Sequence, residues 1–567
     1  MFAYRNRGAF GISRSNKIRS SSFTRTPKIT YSTINIIRDT NKGTNSSTYR
    51  YFIRPGILIV GLGGSAYLID RYAYSSIMTR SIRALYVMLW IAYEYSRNIA
   101  KYETISDLHN VAAERLLNML RTNRGLYIKL GQAIANQGDF FPKEYQKKFV
   151  KLYDDAPVDT WEQIDKVLRK NLGENYEMEV FDSIDHDPVA SASIAQVHKG
   201  KLKSNGESVA IKVQHHYINE QIVIDLFMYK LISKIYERVF DIPLSFFTKY
   251  VSEQMIEEAD FVNEMENASK LRQIIKKDES MNNTNIYIPH SYSDLSKRQV
   301  LITEWCDGVA LTDKDKLIAS DIDLTLAMKQ YIKVFGKQIF EYGFIHSDPH
   351  PGNLLARFDN AGNQQLVILD HGLYISLPNS FRIENCQLWE YLFSFNTQGI
   401  EEIGREWGIG STELFATLVQ LKPIKISTES TNRGDSDINS LLRDFLSDEE
   451  KFPVELLFLT RTMRMIQNLN RNFGSPVNRI NLLTSESINA LMLENSHSVT
   501  TISSRILQYF KLFKVRCVLF VSNLAFYLVR LRQLLSGDKY GDKSIGIEDY
   551  LEVYLQNTAS SLGVDWT

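Results

Sequence analysis

The chain has 567 residues, 66 Lys or Arg against 65 Asp or Glu for a net charge of +1, and 44% hydrophobic residues. That length and balance give a folded protein with room for several units around one or two cores, and no bulk positive charge for coating nucleic acid. Three isolated cysteines, Cys306, Cys386 and Cys517, exclude a disulfide framework and a redox motif.

The charge is unevenly placed. Residues 1–50 hold ten Lys or Arg and one acid, Asp39, leaving the rest of the chain about eight net negative. The same stretch is rich in Ser, the pattern of a mitochondrial targeting presequence. A basic arm for nucleic acid is the rival, and the apolar segment directly behind it argues against that reading. Tyr51 to Ile69 is 19 residues with one charge, Arg54, near its start. It meets the length of a membrane-crossing helix, with Arg54 snorkelling to the interface. Gly56, Gly61, Gly63 and Gly64 suit a membrane helix better than a soluble one; a buried apolar helix is the alternative. Residues 1–50 are therefore expected to be targeting and 51–70 a single transmembrane anchor. The N-terminus would then lie in the matrix and the body in the intermembrane space.

Residues 76–175 read as a helical extension. Further on, Val209-Ala-Ile-Lys-Val-Gln214 has the β-rich look of a strand. Val251, Met255, Ala259 and Val262 recur at helical spacing and predict a buried stripe on a helix over 251–271. Glu253, Glu257, Asp260 and Glu264 form a second row. A solvated acidic face is the ordinary reading of such a row. Lys212 in the preceding strand needs a carboxylate partner, which favours Glu264.

Two later stretches carry the most chemistry. His346-Ser-Asp-Pro-His-Pro-Gly-Asn353 and Leu369-Asp-His-Gly372 set their aspartates 22 positions apart. That is how a protein-kinase-like enzyme places its catalytic and metal-binding loops. Asp348 would face the phosphoryl acceptor or an attacking water, and Asn353 and Asp370 would hold Mg²⁺ against the phosphates of ATP. Lys212 would bind the phosphates and Glu264 would orient Lys212. Val300-Leu-Ile-Thr-Glu304 reads as the strand entering a hinge, where backbone groups from Glu304 to Cys306 would meet adenine.

This pattern departs from ordinary protein kinases. Ser347 stands where an Arg commonly sits, His371 replaces the usual Phe, and no Ala-Pro-Glu follows Asp370 within fifty residues. A short activation segment is expected, and these differences argue against protein phosphorylation. They leave ATP hydrolysis open. His346 and His350 do not make a zinc site, because no Cys lies near and the only nearby His is His371.

With these residues in view, the chain resembles the UbiB family of atypical kinase-like proteins, also called aarF-domain-containing kinases. Lys129-Leu-Gly-Gln132 matches that family's Lys-x-Gly-Gln signature, and Glu258-Ala-Asp260 its Glu-x-Asp motif. Ala190-Ser-Ala-Ser193 looks like its alanine-rich loop, with Ser191 departing from an all-alanine pattern. The resemblance covers roughly residues 100–480 and is nearest to a mitochondrial branch distinct from the coenzyme Q biosynthesis members. It implies that Lys129, Gln132, Glu258 and Asp260 form a regulatory element across the active-site mouth, obstructing a peptide substrate. It implies that Ala190, Ser191, Ala192 and Ser193 replace a glycine-rich phosphate loop. Its biological setting implies a membrane lipid partner, quinone or phospholipid, and a role in lipid homeostasis. Protein partners are not indicated.

The expected fold is α+β, an atypical protein-kinase-like bilobal fold with an N-terminal helical extension and a single transmembrane helix. An N-lobe would cover 176–305, a C-lobe 307–480 and a helical region 481–567. Ser427 to Asp437, rich in Ser, Thr, Asn and Asp, reads as a loop in the C-lobe. Cys517 to Val529, 13 uncharged residues between Arg516 and Arg530, is too short to span a membrane. It is expected to pack on the C-lobe or lie on a membrane surface. An ATPase, a lipid or small-molecule kinase, and a nucleotide-binding scaffold all remain open.

Overall fold

The computed structural model describes residues 76–136, 142–153, 158–240, 245–394, 396–409, 455–498 and 502–535, with a few single positions besides. The expected targeting segment, the Ser427–Asp437 loop, and all but three positions of the expected anchor lie outside the described residues. Among the described residues no helix is long and apolar enough to cross a membrane. The described residues from Arg83 onward belong to one compact unit and those before it to another. In the latter, Asp70 accepts from the backbone N–H groups of Met78 and Thr79 at 2.8 and 2.9 Å, meeting donors that a helix start leaves unpaired.

The larger unit includes the helices Ile105–Asn123, Leu126–Asn136 and Lys143–Phe149. Their core joins Leu117, Leu120, Ile128, Phe149 and Leu152. Gly131 permits this packing: a Cβ there would stand 2.3 Å from Leu152 Cδ1 and 2.8 Å from Leu120 Cδ1.

A five-stranded sheet follows, built from β1 (Phe181–Ile184), β2 (Ala190–Ser191), β3 (Ala195–Leu202), β4 (Ser208–Gln214) and, after β5 (Ile286–Tyr287) in a second sheet, β6 (Val300–Glu304). The order is β1-β3-β4-β6 with β2 on β3, and every pairing is antiparallel. On β4, Val209, Ile211 and Val213 are fully buried beside Ile164, Val167 and Leu168 of the helix Trp161–Leu172. Strand alternation then sends Lys212 to the other face.

The helix expected over 251–271 is two helices, Ser245–Glu258 and Phe261–Lys277. Asp260 ends the run by capping the second, its side chain accepting from Val262 N at 3.1 Å. The break separates the predicted acidic row. Glu253 and Glu257 stay exposed, whereas Glu264 is buried.

The second half centres on the helix Leu324–Lys337, whose Tyr331 and Phe335 are fully buried among residues of the helices Asn379–Ser394, Glu455–Asn472 and Arg479–Ser498. Beside it lies a sheet in the order β5-β10-β9-β7, with β7 at Val309–Ala310, β9 at Leu354–Phe358 and β10 at Gln364–Ile368. β8 (Phe344–His346) pairs antiparallel with β11 (Tyr374–Ser376), and the helix Asn379–Ser394 begins directly after. Only a short segment therefore separates Asp370 from the helix Asn379–Ser394.

Candidate active site

Lys212 and Glu264 meet across the sheet and the helix Phe261–Lys277. Lys212 Nζ donates to Glu264 Oε2 at 2.7 Å and Oε1 at 2.9 Å. Burial opposes the ammonium charge, but Glu264 and then Asp370 outweigh it and raise the lysine pKa. Burial pushes the Glu264 carboxyl up while Lys212 pulls it back. Gly372 marks how closely the acids gather. A Cβ on it would lie 3.3 Å from Asp370 Oδ1, 3.7 Å from Glu264 Oε2 and 3.8 Å from Glu258 Cγ.

The catalytic and metal loops are tied to each other. Leu373 O accepts from Ser347 N at 3.0 Å and Ser347 Oγ at 3.2 Å, so the serine standing in the arginine position serves as a lock between loops. Tyr331 Oη donates to Pro349 O at 2.9 Å, fixing the loop from the core. Leu369 N donates to Asn353 O at 3.0 Å. Asn353 Nδ2 donates to Asp370 Oδ2 at 2.9 Å, and Gly372 N to Asp370 Oδ1 at 2.9 Å. Burial resists ionising Asp370, yet the Lys212 ammonium leads the effects that hold it well below the ordinary carboxylate range. Turned over, the Asn353 amide would present its oxygen beside the ionised Asp370 carboxylate, a hard-oxygen donor pair of the kind Mg²⁺ takes, with its remaining ligands coming from phosphate and water. These two residues therefore fit a divalent ion.

The nearby histidines are each held by hydrogen-bond contacts. His346 Nδ1 lies 3.2 Å from Leu373 O, His350 Nδ1 accepts from Gly352 N at 3.0 Å, and His371 Nδ1 and Nε2 contact Tyr374 Oη and Ile368 O. Burial pushes the His371 pKa down to about 3, which keeps it neutral.

Asp348 has a partner that sequence reasoning missed. Arg461 Nη2, from the helix Glu455–Asn472, lies 2.9 Å from Asp348 Oδ1. The pair is ionic by distance without the alignment of a hydrogen bond, and Oδ1 has no hydrogen-bond partner among the described residues. Burial disfavours the Asp348 charge, but Arg461 and then Lys129 overcome it and lower its pKa. No local motif marks Arg461; only tertiary packing brings it here.

The predicted regulatory residues divide. Lys129 is ion-paired with Glu258, and its ammonium, disfavoured by burial, is stabilised by Glu258, Asp348 and Asp370. Gln132 Nε2 donates to Leu152 O at 3.1 Å and anchors its helix. Asp260 instead caps the helix Phe261–Lys277 and faces Arg298 Nε at 3.5 Å.

Ala190 and Ser191 form β2, Ala192 N donates to Ala195 O at 2.8 Å, and Ser193 is buried. Ala192 O contacts His215 Nε2 at 3.0 Å. The loop is thus a closed hairpin stiffened by its own bonds. At the hinge, the Glu304 carboxylate accepts from Tyr287 Oη at 2.5 Å and Glu304 N donates to His290 O at 2.8 Å. Cys306 is buried with Leu355 and Val367, and burial pushes its thiol up to about 11. A separate cavity of about 620 Å³ beside the hinge is lined by Tyr287, Glu304, Trp305 and Arg357. None of Lys212, Asp348, Asn353 or Asp370 lines it, so it is not the centre of the chemistry.

The chain also has recognisable relatives among known proteins. A model of the ABC1 atypical kinase-like domain matches residues 151–404. The chain is 33% identical over 543 residues to the ABC1 family protein lscO of Purpureocillium lilacinum, covering 88% of this chain and 89% of that one. It is 36% identical over 446 residues to the ABC1 family protein C10F6.14c of Schizosaccharomyces pombe, covering 76% and 82%. It is 32% identical over 390 residues to AarF domain-containing kinase 1 of Drosophila melanogaster, covering 66% and 74%. With its kinase-like α+β fold, this chain belongs to the ABC1 family of atypical kinase-like proteins, the UbiB or aarF-domain-containing kinases.

Proposed function

We propose that the protein is a Mg²⁺- and ATP-dependent phosphoryl-transfer enzyme of slow turnover, an ATPase or an atypical kinase with a small or lipid acceptor. The observation that carries this is the convergence of the Lys212–Glu264 pair with the Asn353–Asp370 pair around Gly372. Lys212 binds phosphate oxygens and Glu264 keeps it aimed. Asn353 and Asp370 hold the metal, which when bound supplies positive charge to the phosphates. Asp348 orients a water or hydroxyl. The Lys129–Glu258 bridge stands near Gly372 and the Asp348 and Asp370 carboxylates, which supports exclusion of a peptide acceptor.

The setting we propose is the mitochondrial inner membrane, with the body in the intermembrane space, acting on coenzyme Q or phospholipid distribution. The basic, Ser-rich first fifty residues and the apolar stretch behind them support it. Protease treatment of mitoplasts tests the topology. A body that stays protected alongside an intact matrix control contradicts it.

A nucleotide-binding scaffold without turnover is the second reading, favoured by Arg461 already engaging Asp348. Asp348→Asn separates the two. The enzyme reading expects nucleotide binding to persist while hydrolysis and rescue in cells are lost, and full rescue selects the scaffold. Radiolabelled ATP with a mitochondrial lipid extract distinguishes a kinase, which yields a labelled lipid, from an ATPase.

A further inference from the structure

The helix Ile502–Leu535 carries two apolar faces. Its inner face packs: Val515 and Leu519 are buried against Ile488, and Asn481 Nδ2 donates to Leu519 O at 2.7 Å. Its outer face carries Phe513, Phe520, Leu524, Tyr527, Leu528 and Leu531, each between 51% and 70% exposed. At 3.6 residues per turn these six fall within an arc of about 100° and run along roughly 27 Å of helix. A contiguous apolar strip of that extent marks an interaction surface.

Charge indicates what covers it. The helix holds six Arg or Lys and no Asp or Glu. Lys514 and Arg516 are exposed and, by the same helical geometry, border the apolar arc on opposite sides. An apolar strip edged by cations matches a bilayer interface, with acyl chains under the strip and anionic headgroups at its edges. A second copy of this helix would set like charges against each other with no acid to answer them. A spanning role is not available to it, since no described helix is apolar enough to cross.

We propose that the outer face of this helix docks in the plane of an anionic lipid bilayer, a second membrane contact separate from residues 51–70 and independent of the nucleotide reading. The test uses the full chain bearing a nitroxide on Cys517, which is exposed within the same arc, while Cys306 and Cys386 are buried. Collision with oxygen and with a water-soluble nickel chelate is measured by electron paramagnetic resonance, with phosphatidylcholine vesicles lacking or containing phosphatidylserine. A severalfold rise in the oxygen-to-nickel ratio on anionic vesicles only, abolished by Leu524→Glu with Leu528→Glu while the chain still floats with vesicles, is the expected result. A label that stays in water on anionic vesicles overturns the proposal, as does equal immersion on neutral ones. Spin–spin broadening between copies instead assigns the face to self-association and also overturns it.

Discussion

Arg461 Nη2 stands 2.9 Å from Asp348 Oδ1, so a cation from a helix far along the chain already faces the carboxylate proposed to orient the acceptor. Arg461 and Lys129 keep that acid ionised despite its burial. Its pKa is depressed, so the active carboxylate persists to lower pH than usual and is lost only as pH falls through the depressed value. Arg461→Met removes the nearer cation and raises that pKa. The acid limb of the hydrolysis rate profile should move to higher pH. An unmoved limb would show that Asp348 does not govern it.

Glu264→Gln leaves Lys212 buried without its charged partner. Hydrogen bonds to charged groups are worth about 1.5–3 kcal/mol, so affinity for Mg-ATP should fall roughly tenfold to a hundredfold. Calorimetric titration reads this directly, and an unchanged dissociation constant would remove Glu264 from the site.

Lys129 offers a third test. Its ammonium is stabilised by Glu258, Asp348 and Asp370 together. A fixed cation near the metal acids competes with a divalent ion for the same field. Lys129→Met should lower the Mg²⁺ concentration for half-maximal nucleotide binding severalfold, at the cost of an unpaired Glu258. A rise in that concentration would mean that Lys129 helps to build the metal site.

Much of this site was legible because it is written in short local patterns. Lys212, Asp348, Asn353 and Asp370 sit at loop and strand positions whose spacing alone carries meaning. Glu264 needed one further step, the demand of a buried lysine for a carboxylate. The break at Asp260 was missed because apolar periodicity runs across it, while a capping aspartate competes locally with the helix. Arg461 had no local signal, since its role exists only after the helix Glu455–Asn472 packs. The apolar stretch Cys517–Val529 was legible as a segment that packs on the C-lobe or lies on a membrane surface, whereas which of its residues face the core emerges only once the helix Ile502–Leu535 packs.

Stability should respond to acid through a different group. Asp278 is 14% exposed and contacts Lys337 Nζ at 3.0 Å and Tyr342 Oη at 2.6 Å. Burial would raise its pKa, but the hydrogen bonds from Tyr342, Ser280 and Lys337 lower it from 3.8 to about 2. Its contribution is full above the unfolded value and is lost as pH falls towards the folded one. Asp278→Asn should cost about 2 kcal/mol at neutral pH, a deficit that closes between about pH 4 and pH 2 in denaturant melts. A gap of constant size across that range would assign the loss to packing.

The account stands most directly on Asp370 and Asn353 holding a divalent ion against nucleotide phosphates. Titrating ATP into the wild type and Asp370→Asn, with and without Mg²⁺, tests it in one experiment. The wild type should bind ATP about tenfold or more tightly with the ion present, and the variant should lose that gain. Equal ATP affinity with and without Mg²⁺ in the wild type would contradict the account.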